Sequence, residues 1–239
     1  MTLTELEQDL DLIWHGVNDP ANLEFFLKSN IYWAEGDVRG HEDGLLVLRH
    51  DPWETHPLRP EEGLLDFRDW LKAAHEAGKG IQIDLKEGGS TMDRMIHLLK
   101  EVRFPESRLW FTTNLKDVAI EDYGRLGRTF PHARLQSTIP LRFMFQDMTV
   151  DDRTSWLDLN RGLGARFLSI SWYDEPTAGE LEEIRNAGFG INLFYVNTME
   201  DIRKAVALKP DAITSDFHVP EWGLFGRGSG ENGFYLEKA

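Results

Sequence analysis

Glu35 and Asp37 stand two apart in the run IYWAEGDV (31–38), and Asp84 and Lys86 stand two apart in GIQIDLK (80–86). Side chains two apart on a strand share a face, so each pair points one way. In the second run Ile81, Ile83 and Leu85 take the opposite face and leave Gln82, Asp84 and Lys86 together; in the first, Ala34, Gly36 and Val38 flank the acids. Either pair alone reads most simply as a solvated strand end. Both, however, lie among neighbours too apolar for a surface strand, and a buried charge needs a partner or a metal. Three carboxylates brought together repel one another, and a hard divalent cation relieves that repulsion. Mg²⁺ is the expected ion, with Ca²⁺ or Mn²⁺ as alternatives. The chain contains no cysteine, so thiolate ligands and cysteine nucleophiles are excluded and zinc is a poorer fit. His15 closes the first apolar run and His50 the third. Two imidazoles beside a metal-held phosphate suit general acid–base catalysis, one activating the attacking oxygen and the other protonating the leaving group. Lys86 would neutralise phosphoryl charge beside them. A lone histidine is ordinarily a hydrogen-bonded core or rim residue, and His41, His56, His75, His97, His132 and His218 are read that way.

The elements that would position these groups recur along the chain. Short apolar runs centre on 11–17, 31–38, 44–50, 80–86, 109–115, 134–139, 166–173, 191–197 and 211–217. Helical spacing fills several intervals: Phe67, Trp70, Leu71 and Ala74 between Asp66 and Gly78, and Met92, Met95, Ile96 and Leu99 within 90–102. Thr177 and Glu180 form a capping box opening a helix that Gly188 ends, and Thr198 opens another that Pro210 ends. Alternating strands and helices mean parallel strands joined by crossovers. The runs exceed by one the eight strands of a barrel. Only RGHEDG separates the second from the third, too short for a helical crossover, and Asp43-Gly44 is a turn signal. These two runs are therefore expected to form an antiparallel hairpin, with His50 opposite Glu35 give or take one residue for a bulge. The expected fold is one (β/α)8 barrel, residues 1–239, with this hairpin at its C-terminal face. Residues 1–10 would be an N-terminal cap segment. The Gly- and aromatic-rich tail 218–239 would be either a flap over the site or a partly ordered end.

Composition sets bounds. At 239 residues and 41% hydrophobic content the chain suits one barrel with a sizeable core. A net charge of −15 repels nucleic acid and anionic membrane, and no basic patch offsets it. It also repels a phosphate substrate unless a cation sits in the site. The start MTLTELEQDLDLIWHG is acidic, so no signal peptide is read, no run approaches a membrane span, and the expected location is the cytoplasm.

In order and spacing the motifs resemble the glycerophosphodiester phosphodiesterase-like barrels. They are His15-Gly16 after the first strand, E-x-D-V (35–38), D-G-x-x-V-x-x-H-D (43–51) and I-x-x-K (83–86), with FYVNTMEDIRKAVALKPDAITSDF (194–217) similar to that superfamily's last repeat. The sphingomyelinase D toxins of the same superfamily space a His, E-x-D and second His much like His15, Glu35, Asp37 and His50. Two departures stand out: His15-Gly16-Val17 replaces the usual His-Arg-Gly, and VNDPANLEFFL replaces Pro-Glu-Asn-Thr. They resemble instead the menorin branch, with H-x-V-N (15–18), a helix segment Phe67–Leu71, G-I-x-x-D-x-K (80–86) and a partial echo of W-x-N-A-D at 110–114. The resemblance implies the barrel, the metal carboxylates and the histidine pair; it leaves the substrate open, because the missing arginine would have contacted it, and the expectation is a phosphodiester such as a glycerophosphodiester or lysophospholipid. By position and parity Thr112, Asn114, Ser171, Tyr195 and Asn197 are expected at the mouth, Asn114, Tyr195 and Asn197 as substrate contacts, with Trp172 on the opposite face from Ser171. The rival readings are a non-catalytic barrel that keeps the site as a ligand- or partner-binding pocket, and metal-assisted chemistry on a carbonyl. A glycosidase would instead place two carboxylates across a sugar bond.

Overall fold

The computed structural model describes residues 10–58, 62–114 and 118–217. The expected N-terminal cap, apart from Leu10, and the expected tail and flap lie outside them, as does His218.

Eight parallel strands close into a barrel. In chain order they are β1 (Asp11–Trp14), β2 (Trp33–Gly40), β5 (Gly80–Leu85), β6 (Leu109–Thr113), β7 (Arg134–Thr138), β8 (Phe167–Ser171), β9 (Gly190–Phe194) and β10 (Ala212–Ser215). Closure is made by β1, which pairs with both β10 and β2. Two short strands, β3 (Leu46–Leu48) and β4 (Leu65–Asp66), extend outward from β2 in antiparallel pairing. The expected hairpin is therefore present, and β4 adds a third strand to it. Its register sets Val38 opposite Leu48 and Arg39 opposite Val47, one residue from the expected pairing and within the allowance for a bulge. The turn is made by Gly44 at φ +84°, a value that L side chains rarely adopt.

Helices cover the outside. Asp66 caps Phe67–Glu76 by accepting from the backbone N–H groups of Arg68 and Asp69, and the Thr177–Glu180 capping box opens Ala178–Asn186 as its sequence signature implied. Helices Pro20–Lys28, Ile120–Thr129 and Val150–Leu163 were not picked out by spacing; two of them hold few buried apolar residues, so their periodic signal is faint. Outward strand residues such as Ile81, Ile83, Leu85, Leu168 and Ile170 join one large apolar cluster with these helices. Inside, the N-terminal end of the barrel is filled by Ile13, Trp33, Trp110 and Ala212 with Phe167 against them. The Arg134 guanidinium lies 5.0 Å from the Trp33 ring and 4.8 Å from the Trp110 ring, and it pairs with Asp11. Aromatic bulk and a paired cation thus fill that end.

Trp110 is fully buried and its indole N–H has no partner. Trp110→Ala is therefore expected to cost about 3–5 kcal/mol in equilibrium denaturant unfolding. Trp110→Phe should cost clearly less, because it keeps most of the volume and removes an unsatisfied donor.

Candidate active site

The C-terminal ends of the barrel strands open into one cleft. Its walls include His15, Glu35, His50, Asp84, Lys86, Thr112, Asn114 and Tyr195, and its floor includes Gln82, Gln136, Ser169, Asn192 and Thr214. The strand alternation read from the sequence produces this division. Asp84 and Lys86 turn inward from β5 while Ile83 and Leu85 join the outer core. Glu35 and Asp37 are buried on the inner side of β2, and Ala34 and Val38 lie in the outer core.

Glu35, Asp37 and Asp84 each offer an oxygen within 4.8 Å of the others. The turn after β1 orients two of them. Gly16 N–H donates to Glu35 at 2.6 Å. Asn18 makes a reciprocal pair with Asp37, its Nδ2 donating at 2.5 Å and its Oδ1 accepting from the Asp37 N–H at 2.9 Å. Gly16 sits at φ +66°, which lets the chain turn directly behind His15. Gly36 between the two acids is equally constrained, since a Cβ there would meet Leu48 at 2.3 Å. Lys86 reaches back over the cluster, 2.8 Å from Asp37 and 2.5 Å from Asp84.

One ammonium does not balance three carboxylates. Burial, then the charge of Asp37, pushes the Glu35 carboxyl up to about 8. Burial also raises Asp84, with Asp37 adding to it against Lys86. For Asp37 the penalty of burial is outweighed by Lys86 and His50, and its carboxyl lies well below the usual range. Burial opposes charge on Lys86, but Asp37 and Asp84 hold the ammonium above its ordinary value. A divalent cation fits this set: all donors are hard oxygens, two of the three acids are buried, and a single lysine stands beside them.

Both histidines reach the same cleft, and each has a carboxylate on its Nδ1. For His15 it is Asp216 at 2.5 Å, and for His50 it is Asp51 at 2.9 Å. An ionised carboxylate only accepts, so each Nδ1 carries the hydrogen and each Nε2 is left for other work. The His15 Nε2 lies 3.9 Å from Glu35. Covering of His15 disfavours its cation, but Asp216, then Glu35 and Asp37, outweigh this and raise it to about 9. Asp216 is itself held by Asn197, whose Nδ2 donates to it at 2.6 Å and whose Oδ1 accepts from its backbone N–H at 3.0 Å.

Thr112 and Asn114 line the cleft as their positions implied; Tyr195 lines it too, but through a break in strand alternation, and Ser171 and Asn197 do not line it. β8 ends at Ser171, whose hydroxyl accepts from the Tyr173 N–H and caps a short turn. β9 ends at Phe194, and Tyr195 adopts φ +63°, so alternation fails beyond it and Asn197 turns toward Asp216 instead. Tyr195 stands edge-on to His15 with ring centroids 5.7 Å apart. Trp172 packs against the outer core, away from the cleft. Spacing alone missed Asp51, Asp216 and Asn18, though each sat inside a motif: HD, TSDF and HGVN. Gln136, Ser169, Asn192 and Thr214 follow from the same parity that placed Gln82, extended to β7–β10.

A parallel barrel with its polar centre at the strands' C-terminal ends is the architecture of many enzymes. Among solved structures the chain is similar to an Oleispira antarctica phosphodiesterase in complex with the product sn-glycerol-3-phosphate, with TM-score 0.68, 18% identity, and 86% of this chain and 92% of that chain covered. It is also similar to a glycerophosphodiester phosphodiesterase from Agrobacterium tumefaciens (TM-score 0.63, 18% identity, covering 87% and 96%). A third is a glycerophosphodiester phosphodiesterase from Parabacteroides distasonis (TM-score 0.66, 14% identity, covering 87% and 93%). These likenesses establish the barrel fold. No family model and no curated protein matches the sequence.

The raised groups define a pH test. Glu35, ordinarily near 4.5 and here about 8, binds more proton folded than unfolded between those values, so metal-free stability falls as pH rises. His15 adds stability that is complete below 6.5 and lost as pH passes about 9. The two signs agree: the melting temperature of metal-free protein should fall from pH 6 to pH 9. A divalent cation competes with the proton on Glu35, so the rise in melting temperature on adding Mg²⁺ should grow across the same window. A cation effect that shrinks with rising pH would contradict the assignment of Glu35 to the centre.

Proposed function

We propose that the protein is a metal-dependent phosphodiesterase that hydrolyses a small phosphodiester of the glycerophosphodiester or lysophospholipid class. The observation carrying this reading is that two carboxylate-backed imidazoles share one cleft with a three-carboxylate cluster, two members of which are buried. The fold likeness to glycerophosphodiester phosphodiesterases agrees with it. Glu35, Asp37 and Asp84 would hold the cation, and Mg²⁺ suits their all-oxygen donor set. When bound, the cation supplies positive charge to the carboxylates and to the phosphoryl oxygens of the substrate.

The chain's own residues do the rest. Lys86, already drawn toward Asp37 and Asp84, stands beside the cluster with an ammonium that can face a phosphoryl oxygen. One imidazole Nε2 takes the proton from the attacking water. The other gives a proton to the departing alcohol oxygen as its bond to phosphorus breaks. The net reaction is diester plus water to monoester plus alcohol. Asp216 and Asp51 fix each ring's tautomer and orientation. Asn114 and Tyr195 are placed to contact the substrate. If the substrate carries a neighbouring hydroxyl, that oxygen can replace water and give a cyclic phosphate. The cleft has a cavity volume of about 250 Å³, sized for a phosphate with a small headgroup, so a longer chain would extend beyond the mouth.

A panel of glycerophosphodiesters, lysophospholipids and a chromogenic diester, assayed with Mg²⁺, Mn²⁺ or Ca²⁺ and with chelator, tests the reading. Chelation should abolish turnover. His15→Ala and His50→Ala should each lower kcat by about 10²–10⁴-fold, the usual worth of acid–base catalysis. Asp84→Asn should weaken cation binding measured directly by calorimetry. Turnover that survives chelator and all three substitutions rules the mechanism out, and no turnover on any substrate favours the binding-pocket reading.

A further inference from the structure

The segment that presents His50 lacks the anchoring found elsewhere in the barrel. No residue from His50 to Leu58 is buried, and Glu54 to Leu58 are exposed. A segment without buried apolar contacts opens locally at little cost, which conflicts with carrying a group that must stay aligned to within a fraction of an ångström. Hydrogen bonds from two arginines take the place of an apolar anchor.

Arg49 precedes His50 and turns its guanidinium under the loop. Its Nε and Nη2 donate to both oxygens of Glu62, at 2.5 and 3.2 Å. Its Nη1 donates to the Asp51 carbonyl, and Nη2 donates to the His56 carbonyl at 2.8 Å. The guanidinium also lies 4.5 Å from the Trp53 ring centroid, and the Trp53 indole N–H donates to the Gly40 carbonyl at 2.7 Å. From β2, Arg39 grips the intervening carbonyl, with Nε and Nη2 donating to His50 O at 3.1 and 2.8 Å, and Glu87 pairs with its Nη1 at 3.3 Å. The Arg49 and Glu62 side chains are only 4% and 5% exposed, although they lie outside the acidic cluster.

A buried ion pair seldom adds stability over an apolar pair of similar size, because both charges must be desolvated. Its attested use is to specify one arrangement among several. Here the planar fork matches a carboxylate on one side and loop carbonyls on the other, a geometry that an ammonium does not reproduce. We propose that the Arg49–Glu62 pair, with Arg39, is a latch that positions His50 over the acidic cluster. These are positioning residues and none of them lines the cleft. The proposal rests on His50 being the acid–base group argued above.

Two variants test it: Glu62→Gln, which is isosteric, and Arg49→Met/Glu62→Leu, which replaces both charges. Amide hydrogen exchange across 50–58 reads the latch without any substrate. Exchange there should accelerate by about tenfold or more in both variants while amides of β5 keep their wild-type rates. Unchanged exchange in the loop overturns the latch. With a diester substrate, kcat should fall by about tenfold or more with KM within about twofold, the signature of a lost catalytic alignment rather than lost binding. A loosened loop with unchanged kcat overturns the positioning role. Should the wild type hydrolyse no diester, the phosphodiesterase reading fails on its own, and the exchange rates still decide whether the latch exists.

Discussion

Three acidic groups occupy one small, mostly buried volume, and among the described residues lining it Lys86 is the sole lysine or arginine. That imbalance governs the surrounding structure. Each buried carboxylate needs donors aimed at it, and the chain supplies two from one turn: the Gly16 N–H to Glu35, and the Asn18 amide to Asp37. The turn can do so because β1 pairs with β2 on one side and β10 on the other, which sets residues 15–18 beside the acids and Asp216 beside His15. Barrel closure and charge placement are thus one requirement. An open sheet with the same strands would separate the imidazole from the carboxylate that orients it.

The two imidazoles are brought to one cleft by different means. His15 belongs to the barrel proper and is held by a chain of buried partners, Asp216 and then Asn197. His50 stands at the base of an excursion and takes its carboxylate from the adjacent Asp51. The first is rigid because the strands beneath it are packed; the second depends on cations gripping its backbone. With a chain charge of −15, the field over the mouth favours a cation before an anion. A phosphate would therefore meet a centre whose excess negative charge had already been offset.

Much of this was legible in the sequence, and the failures have physical causes. Period-2 alternation placed Asp84, Lys86, Glu35 and Asp37 because β2 and β5 remain regular through their functional ends. The hairpin followed from a connection too short for a helix. Alternation misplaced Ser171 and Asn197, where the strand had ended and the backbone had turned. Tyr195 reaches the cleft through a left-handed φ that side-chain type does not announce. Asp51 and Asp216 were visible as letters beside histidines or in a strand-end motif, but their service to the rings depends on contacts such as one spanning 201 residues. The Arg49–Glu62 pair left no periodic trace, since its partners lie in an irregular loop.

The plug of Trp33, Trp110 and Phe167, pinned by Arg134 and Asp11, makes the interior a blind well. Among the described residues the cleft opens at the C-terminal ends of the strands, so what enters there also leaves there. For a reaction that splits one molecule into two, departure becomes sequential. The fragment nearer the rim must clear the exit first, and a lingering one obstructs both its companion and the next arrival.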